Sequence, residues 1–273
     1  MTLLYIPTLY FLCSFGLLLW NGSSWPIGVT KTPSSAKVSF YQATPSENEL
    51  EGAWQLVGTT KEQGTPTMVQ TLADGFFAVA HFDKAGKKFI GTYGGTYTVA
   101  NGKLNAKYEF NTFDSTKVGS AFTGSFTKKN GKWQLQMVSG ATAALQTWEK
   151  TPEQNPASPL QGAWRISSRA GQDGTMNPMV PGPRKTIKIL SGERFQWIAF
   201  NSETVAFSGT GGGTYTAQNG TYTEHIEFFS RDNSRVGVQL SFQYEVKDGN
   251  WHHTGLSSTG GKVNEIWQRL SRQ

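Results

Sequence analysis

Glu224 and His253 are the two side chains of this sequence whose types and positions could support proton-transfer chemistry. A carboxylate and an imidazole within hydrogen-bond reach can act as general acid and base, or can bind the polar part of a ligand. The sequence has no His-x-x-x-His motif and no nucleophile elbow, and its single cysteine, Cys13, lies in an apolar N-terminal stretch. Catalysis is therefore not expected, and the pair is interpreted as a polar binding site.

An internal repeat defines the elements that must position this pair. "GGTYTVANG" at 94–102 recurs 118 positions later as "GGTYTAQNG", and "LEGAWQL" at 50–56 recurs as "LQGAWRI" at 160–166. The eight extra residues of the second copy fall in a Gly- and Pro-rich stretch at 170–183, which predicts a loop. The chain is therefore expected to contain two copies of one domain, at 50–150 and 160–273, joined by a Pro-rich linker at 151–159.

Comparison of the copies places both side chains on an apolar strand face. Glu224 stands where the first copy has Ala106, and His253 stands where it has Leu135. Burying a carboxylate or an imidazole is costly unless it is hydrogen-bonded, so their presence predicts a polar site inside the second copy. The alternative is that both lie at an open barrel mouth, in water.

The strand at 194–201 leaves two readings open. In the first copy, one face of this strand carries Phe76, Ala78, Ala80 and Phe82. If that face is turned inward, then Arg194 and Gln196 join the site. The alternation within the second copy instead turns Phe195, Trp197 and Ala199 inward. The candidate ligand-binding residues are Glu224, His253, Arg194, Gln196, Trp197, Tyr215, Tyr244 and Trp251.

Composition and periodicity predict an all-β fold. The chain has 31 glycines, 13% aromatic and 16% charged residues, and residues 236–246 alternate strictly between apolar and polar. Asp-Gly and Asn-Gly pairs separate the short apolar runs, as expected of hairpin turns. Each copy gives about eight antiparallel strands, and a meander of that length avoids open edges by closing into an up-and-down barrel.

The repeated Gly-x-Trp motif carries a family resemblance. Gly52-Ala53-Trp54 and Gly162-Ala163-Trp164 open the two copies, and "TWEK" at 147–150 and "IWQR" at 266–269 close them. These motifs resemble those of the lipocalins, and in particular bacterial secreted lipocalin-like proteins. The resemblance implies that Trp54 and Trp164 close the barrel floors, with Lys150 and Arg269 packed on the indole faces.

The N-terminal segment predicts export. Leu3 to Trp20 is apolar and uncharged and is followed by Gly22, Ser23 and Ser24, so residues 1–24 are interpreted as a signal peptide. An uncleaved membrane anchor is the alternative and would be the chain's only membrane contact. Residues 25–49 are expected to be a flexible linker. The protein is therefore expected to be secreted or periplasmic, or anchored by this segment.

Charge and residue spacing exclude several classes of function. The net charge is +6, but the Lys and Arg residues are scattered, so nucleic-acid binding is not expected. His252 and His253 are adjacent on a strand and point to opposite faces, so no metal site and no cofactor are predicted. The expected function is non-catalytic binding of a small, largely apolar ligand. The alternative is a filled barrel that contacts protein or glycan at the cell surface, and the lumen volume distinguishes the two.

Overall fold

The computed structural model describes residues 46–57, 66–139, 142–155 and 157–271, which form two closed antiparallel β-barrels in tandem. The all-β, two-barrel prediction is confirmed. The proposed signal peptide at 1–24 lies outside the described residues, as does the predicted linker up to residue 45. In the part of the chain that is described, no helix combines the length and the apolar character needed to cross a membrane.

The first barrel has eight strands that pair in chain order. After the short helix α1 (Glu47–Leu50), these are β1 (Gly52–Leu56), β2 (Thr67–Ala73), β3 (Phe76–Asp83), β4 (Lys88–Ala100), β5 (Lys103–Asn111), β6 (Ala121–Lys129), β7 (Lys132–Ser139) and β8 (Thr142–Lys150). Pairing of β8 with β1 closes the barrel, so neither edge of the sheet is left open.

The second barrel repeats this order with one additional short strand. Its strands are β9 (Gly162–Ala170), β10 (Met176–Pro178), β11 (Arg184–Ser191), β12 (Arg194–Asn201), β13 (Ala206–Gln218), β14 (Thr221–Phe229), β15 (Gln239–Lys247), β16 (Asn250–Leu256) and β17 (Lys262–Arg269). β17 pairs with β9 and closes the barrel. β10 folds back on β9 outside the closed circuit, so the insert at 170–183 is a loop that contains one short strand.

Glycines explain why the "GGTYT" motif occurs in both barrels. At Gly213, an added Cβ would lie 1.9 Å from the carbonyl oxygen of His225 on the neighbouring strand. At Gly95 the corresponding distance, to the carbonyl oxygen of Lys107, is 2.0 Å. The strand register shifts at both places, so the two strands approach more closely than any side chain allows.

The predicted Asn-Gly hairpins are confirmed. Asn219 and Gly220 have φ of 51° and 75°, and Asn101 and Gly102 have φ of 52° and 70°. Two consecutive positive φ angles are the requirement of the tight turn whose twist matches that of the flanking strands.

The barrels are packed against each other through their apolar outer faces. Phe82 of β3 stacks on Phe228 of β14 with ring centroids 4.9 Å apart, and the equivalent pair, Phe110 and Phe200, lies at 5.1 Å. Each contact is the repeat-related copy of the other, as in a two-fold symmetric dimer interface. The interpretation in which Phe76, Ala78, Ala80 and Phe82 face the lumen is therefore wrong. These apolar residues pack against the other barrel.

Polar contacts also cross between the barrels. Gln196 is buried and donates from Nε2 to Thr92 Oγ1 of the first barrel at 2.9 Å. Arg269 Nε lies 3.0 Å from Asp74 Oδ2, and Asp74 also accepts from the backbone N–H of Ala163. Residues 43–273 form one compact unit, so the two barrels belong to a single folded unit and are not separate domains on a linker.

Separating the barrels is expected to produce self-association. A fragment of residues 157–273 would expose Ile187, Ile198, Phe200 and Phe228, all of which are buried in the full chain. Because the interface has two-fold character, this fragment should fold and form a homodimer through the uncovered face. Sedimentation of the fragment beside the full chain measures this, and a Phe200→Asp fragment should stay monomeric. A monomeric parent fragment of undiminished stability would contradict the expectation.

Candidate functional site

The described residues of the second barrel line a sizeable cavity that those of the first barrel do not. Its volume is about 550 Å³, whereas the corresponding space in the first barrel is about 10 Å³. A cavity of about 300 to 1,000 Å³ suits a small-molecule ligand, and the space lined by the described residues of the first barrel is too small for one. Since the two barrels share strand order and repeat, the difference must come from side chains.

Substitutions between the copies change the mouth of the second barrel. In the first barrel, Phe113 lies over His81 and Tyr93, with ring centroids 4.7 and 6.4 Å apart, and these three rings fill the end of the lumen. The second barrel has Arg231, Ala199 and Gly211 at the matching positions. Arg231 and Ala199 line the cavity at this end, whereas Trp197 and Phe229 fill the space beside Gly211.

Further replacements enlarge the upper lumen and fill its base. Leu240 replaces Phe122, which removes a ring from the upper wall, and Gly255 replaces Met137, with Phe242 in the space beside it. At the base, Tyr222 replaces Leu104 and is fully buried among Phe195, Tyr215 and Trp251. The second barrel is therefore a cup with a packed floor and an open mouth.

A buried ion pair lies on the inner wall of the cup. Lys188 Nζ lies 2.8 Å from Glu224 Oε1, with the two side chains 5% and 6% exposed. The ammonium is enclosed by four aromatic rings whose centroids lie 5.1 to 5.8 Å from Nζ: Phe195, Tyr222, Trp251 and Trp267. Cation–π attraction and the ion pair together offset the cost of removing both charges from water.

Tyr222 completes this pair. Its hydroxyl donates to Glu224 Oε1 at 2.9 Å. Burial, followed by the adjacent Glu224 carboxylate, raises the pKa of Tyr222 well above its ordinary value, so the phenol stays a hydrogen-bond donor. The Glu224 carboxylate is thus held by one ammonium and one hydroxyl.

A second cluster surrounds Glu265 of β17. Arg169 donates to Glu265 Oε1 from Nε and Nη2 at 3.0 and 2.7 Å, and Trp267 donates to Oε2 at 3.1 Å. His253 Nδ1 lies 3.5 Å from Oε2, longer than a normal hydrogen bond. Burial alone would raise the pKa of Glu265, but His253 and Arg169 outweigh it and lower that pKa to about 2.

Burial favours the neutral form of the His253 imidazole. It is 3% exposed, and its ring lies 4.3 Å from Phe242 and 5.7 Å from Tyr222, measured between centroids. Burial lowers the pKa of His253 below its ordinary value, against the opposing effect of Glu265. Neither ring nitrogen has a hydrogen-bond partner among the residues that the structure describes.

The charged inner wall is specific to the second copy. At the positions of Lys188, Glu224, His253 and Glu265, the first barrel has the uncharged residues Gln70, Ala106, Leu135 and Gln146. One contact is retained in both barrels, since Trp148 donates to Gln146 at 3.3 Å as Trp267 donates to Glu265. Comparison of the copies could have found Lys188 and Glu265, which the sequence interpretation missed.

The sequence-predicted site residues divide into three groups. Glu224, His253 and Trp197 line the cavity, and the first two are buried inside the barrel and not wet at its rim. Tyr215, Tyr244 and Trp251 do not line it; they pack in or against the apolar core toward the floor.

Arg194 and Gln196, the remaining two, lie outside the lumen. Arg194 forms an ion pair with Glu227 at 2.5 Å, and Gln196 lies between the barrels. Their assignment to the site is wrong, because β12 turns Phe195 and Trp197 inward and its other face toward the first barrel.

The predicted barrel floor is present, with one difference. Trp164 is buried, donates from Nε1 to Leu160 O at 2.8 Å, and has the Arg269 guanidinium 5.6 Å from its ring centroid. Trp54 makes the equivalent hydrogen bond to Leu50 O at 2.9 Å. Lys150 pairs with Trp54 in the strand register, but its ammonium forms an ion pair with Glu153 at 3.0 Å. The predicted stacking of Lys150 on the Trp54 ring is therefore not observed.

The site residues do not form a metal centre. Across the described ranges, no group of three or more His, Cys, Asp or Glu side chains is placed to hold a metal ion. Each of the two carboxylates is paired with a cation, and burial favours the neutral form of the imidazole. The arrangement can bind and orient a ligand in a cup whose upper wall is apolar and whose inner wall is polar.

Acidification is expected to destabilise the second barrel. Glu265 has a folded-state pKa of about 2, below its ordinary value, so its stabilising contribution is complete above about pH 5 and is lost as pH falls toward 2. The shift corresponds to about 3 kcal/mol. His253 acts in the same direction from about pH 7 downward, because the unfolded chain takes up a proton that the buried ring does not. Urea denaturation between pH 7 and 3 measures this, and Glu265→Gln should flatten the profile below pH 5.

The second barrel is similar to a known family, and the chain as a whole defines a tandem of two eight-stranded barrels that fits a lipocalin-like fold. A family model described as a domain of unknown function, DUF4488, matches residues 159–273. No curated protein matches the chain. The solved structure of an uncharacterized protein, YLR301w from Saccharomyces cerevisiae, is 10% identical and covers 81% of this chain and 96% of its own, with a TM-score of 0.37.

Proposed function

We propose that this chain is a non-catalytic binding protein whose second barrel holds one small, largely apolar ligand. The observation that carries the proposal is the difference between the two lumens, about 550 Å³ against about 10 Å³, at an end of the barrel where Ala199 and Arg231 replace rings of the first barrel. A core that lacks large side chains loses stability. A lumen left open by such replacements is therefore best explained by a ligand that binds inside it.

The first barrel supports a second role in the same chain. Its lumen is filled by its own side chains, and its outer face packs on the second barrel, so it acts as a rigid module that supports the binding barrel. Contact of this module with protein or glycan at a cell surface is the alternative function. It predicts that occupation of the second lumen has no effect on the protein's interactions.

Filling the cup tests the proposal. Ala199→His with Leu240→Phe restores the first barrel's residues at two lining positions and should weaken binding of a neutral naphthylamine dye at least about tenfold, with only about 1 to 3 kcal/mol lost from overpacking. Dye emission, titrated with protein, reports binding. The control Thr254→His with Gln239→Phe adds the same side chains on the exposed outer face. Equal dye affinity in the filled variant and the control would overturn the proposal.

Export of the protein is part of the proposal. The apolar segment from Leu3 to Trp20 and the small residues after it support processing near residue 24 and release outside the cytoplasm. Intact mass of the protein purified from its own source tests this. A mass that retains residues 1–24 in a membrane fraction would support the anchored form instead.

A further inference from the structure

The cavity of the second barrel carries more positive than negative charge. Two carboxylates, Glu224 and Glu265, line it. Five cationic side chains line it: Arg169, Arg184, Lys185, Lys188 and Arg231. Among the described residues of the first barrel, no charged side chain lines the equivalent space. The excess is therefore a property of the open barrel.

The inner cations are already neutralised, and the outer ones are not. Lys188 is paired with Glu224, and Arg169 is paired with Glu265. Lys185 reaches Glu109 of the first barrel at 2.5 Å. Within the described residues, neither Arg184 nor Arg231 forms an ion pair with a carboxylate. The uncompensated charge thus lies with two exposed arginines at the mouth.

Arg231 is held in position at the mouth by the backbone. Its Nε donates to Ser208 O at 2.8 Å, and its Nη2 donates to the same oxygen. The first barrel has Phe113 at this position, where the ring closes the lumen against His81. Replacement of that ring by a guanidinium both opens the mouth and places a positive charge in it.

We propose that the ligand of the second barrel carries an anionic group, a carboxylate or a phosphate, that binds at Arg231 and Arg184. Its apolar part lies deeper, against Trp197 and Phe229, whose rings pack edge to face at 5.6 Å. This orientation follows because the inner charges are satisfied by each other, whereas a guanidinium matches the geometry of an anionic oxygen pair. The inference rests on the proposed function, since it names the class of ligand for the same cup.

Matched ligands separate this inference from the proposed function. Naphthoate, naphthylmethanol and naphthylmethylamine share one ring system and differ in charge, and each is titrated against the protein with the neutral naphthylamine dye bound. Naphthoate should displace the dye at a concentration about fivefold to tenfold below that of the alcohol, and the ammonium compound should be the weakest. Raising the ionic strength should reduce the preference for naphthoate.

Removal of the two charges is the decisive variant. Arg184→Gln with Arg231→Gln should abolish the preference, so that naphthoate and the alcohol displace the bound dye at similar concentrations. Lys129→Gln with Lys247→Gln removes the same net charge from exposed positions away from the mouth and should retain the preference. Equal displacement by all three ligands, or a preference that survives in the arginine variant, overturns the inference and leaves the proposed function standing. Absence of dye binding in the parent protein overturns both.

Discussion

Replacing Lys188 with Gln is expected to lower the free energy of unfolding by about 3 to 5 kcal/mol, because it leaves the Glu224 carboxylate buried without its cation. Lys188 Nζ is 2.8 Å from Glu224 Oε1, and both side chains are almost completely excluded from water. Tyr222 remains as the one hydrogen-bond donor to that oxygen, and a phenol does not neutralise a charge. Chemical denaturation of the variant beside the parent measures the loss.

The first barrel supplies the compensating variant. It has Gln70 and Ala106 at the positions of Lys188 and Glu224. Lys188→Gln combined with Glu224→Ala removes both charges and should recover most of the loss, since replacement of a buried ion pair by uncharged residues is often neutral. If the double variant is as unstable as the sum of the two single variants, the pair does not act as one unit.

Trp164→Ala is expected to destabilise the protein by about 3 to 5 kcal/mol, as truncation of a large buried aromatic residue does. Trp164 is 1% exposed, packs edge to face on Trp251 with centroids 5.8 Å apart, and donates its indole N–H to Leu160 O. The substitution leaves a cavity at the barrel floor and an unpaired carbonyl. Thermal and urea denaturation measure the loss.

Two substitutions of Arg269 distinguish its stacking on Trp164 from its charge at the floor of the second barrel. Arg269→Ala should cost about 1 to 2 kcal/mol, because the guanidinium lies over Trp164 and also pairs with Asp74 of the first barrel. Arg269→Lys is the matched control: it keeps a positive charge near Asp74 and loses the planar contact. Additive effects of Trp164→Ala and Arg269→Ala would show that the two side chains are not coupled.

The sequence by itself determined the repeat, the strands and the tryptophan at the floor of each barrel. Asn-Gly turns such as Asn219-Gly220 require positive φ at two successive residues, and this local demand is readable without any tertiary contact. The inward placement of Glu224 and His253 was also readable, because side chains alternate between the faces of a strand and the first copy has apolar residues at both positions.

Only the tertiary structure decided which face of β12 turns inward and where the charges find partners. Apolar periodicity indicates that a strand face is buried but does not indicate what covers it. The outer face of β3 is covered by the second barrel, and in the sequence it could not be distinguished from a face that lines a lumen. The pairing of Lys188 with Glu224, and of Arg169 with Glu265, joins residues 36 and 96 positions apart and depends on barrel closure. The cavity likewise results from several small side-chain replacements on different strands of the second barrel. No local sequence pattern indicates their combined effect.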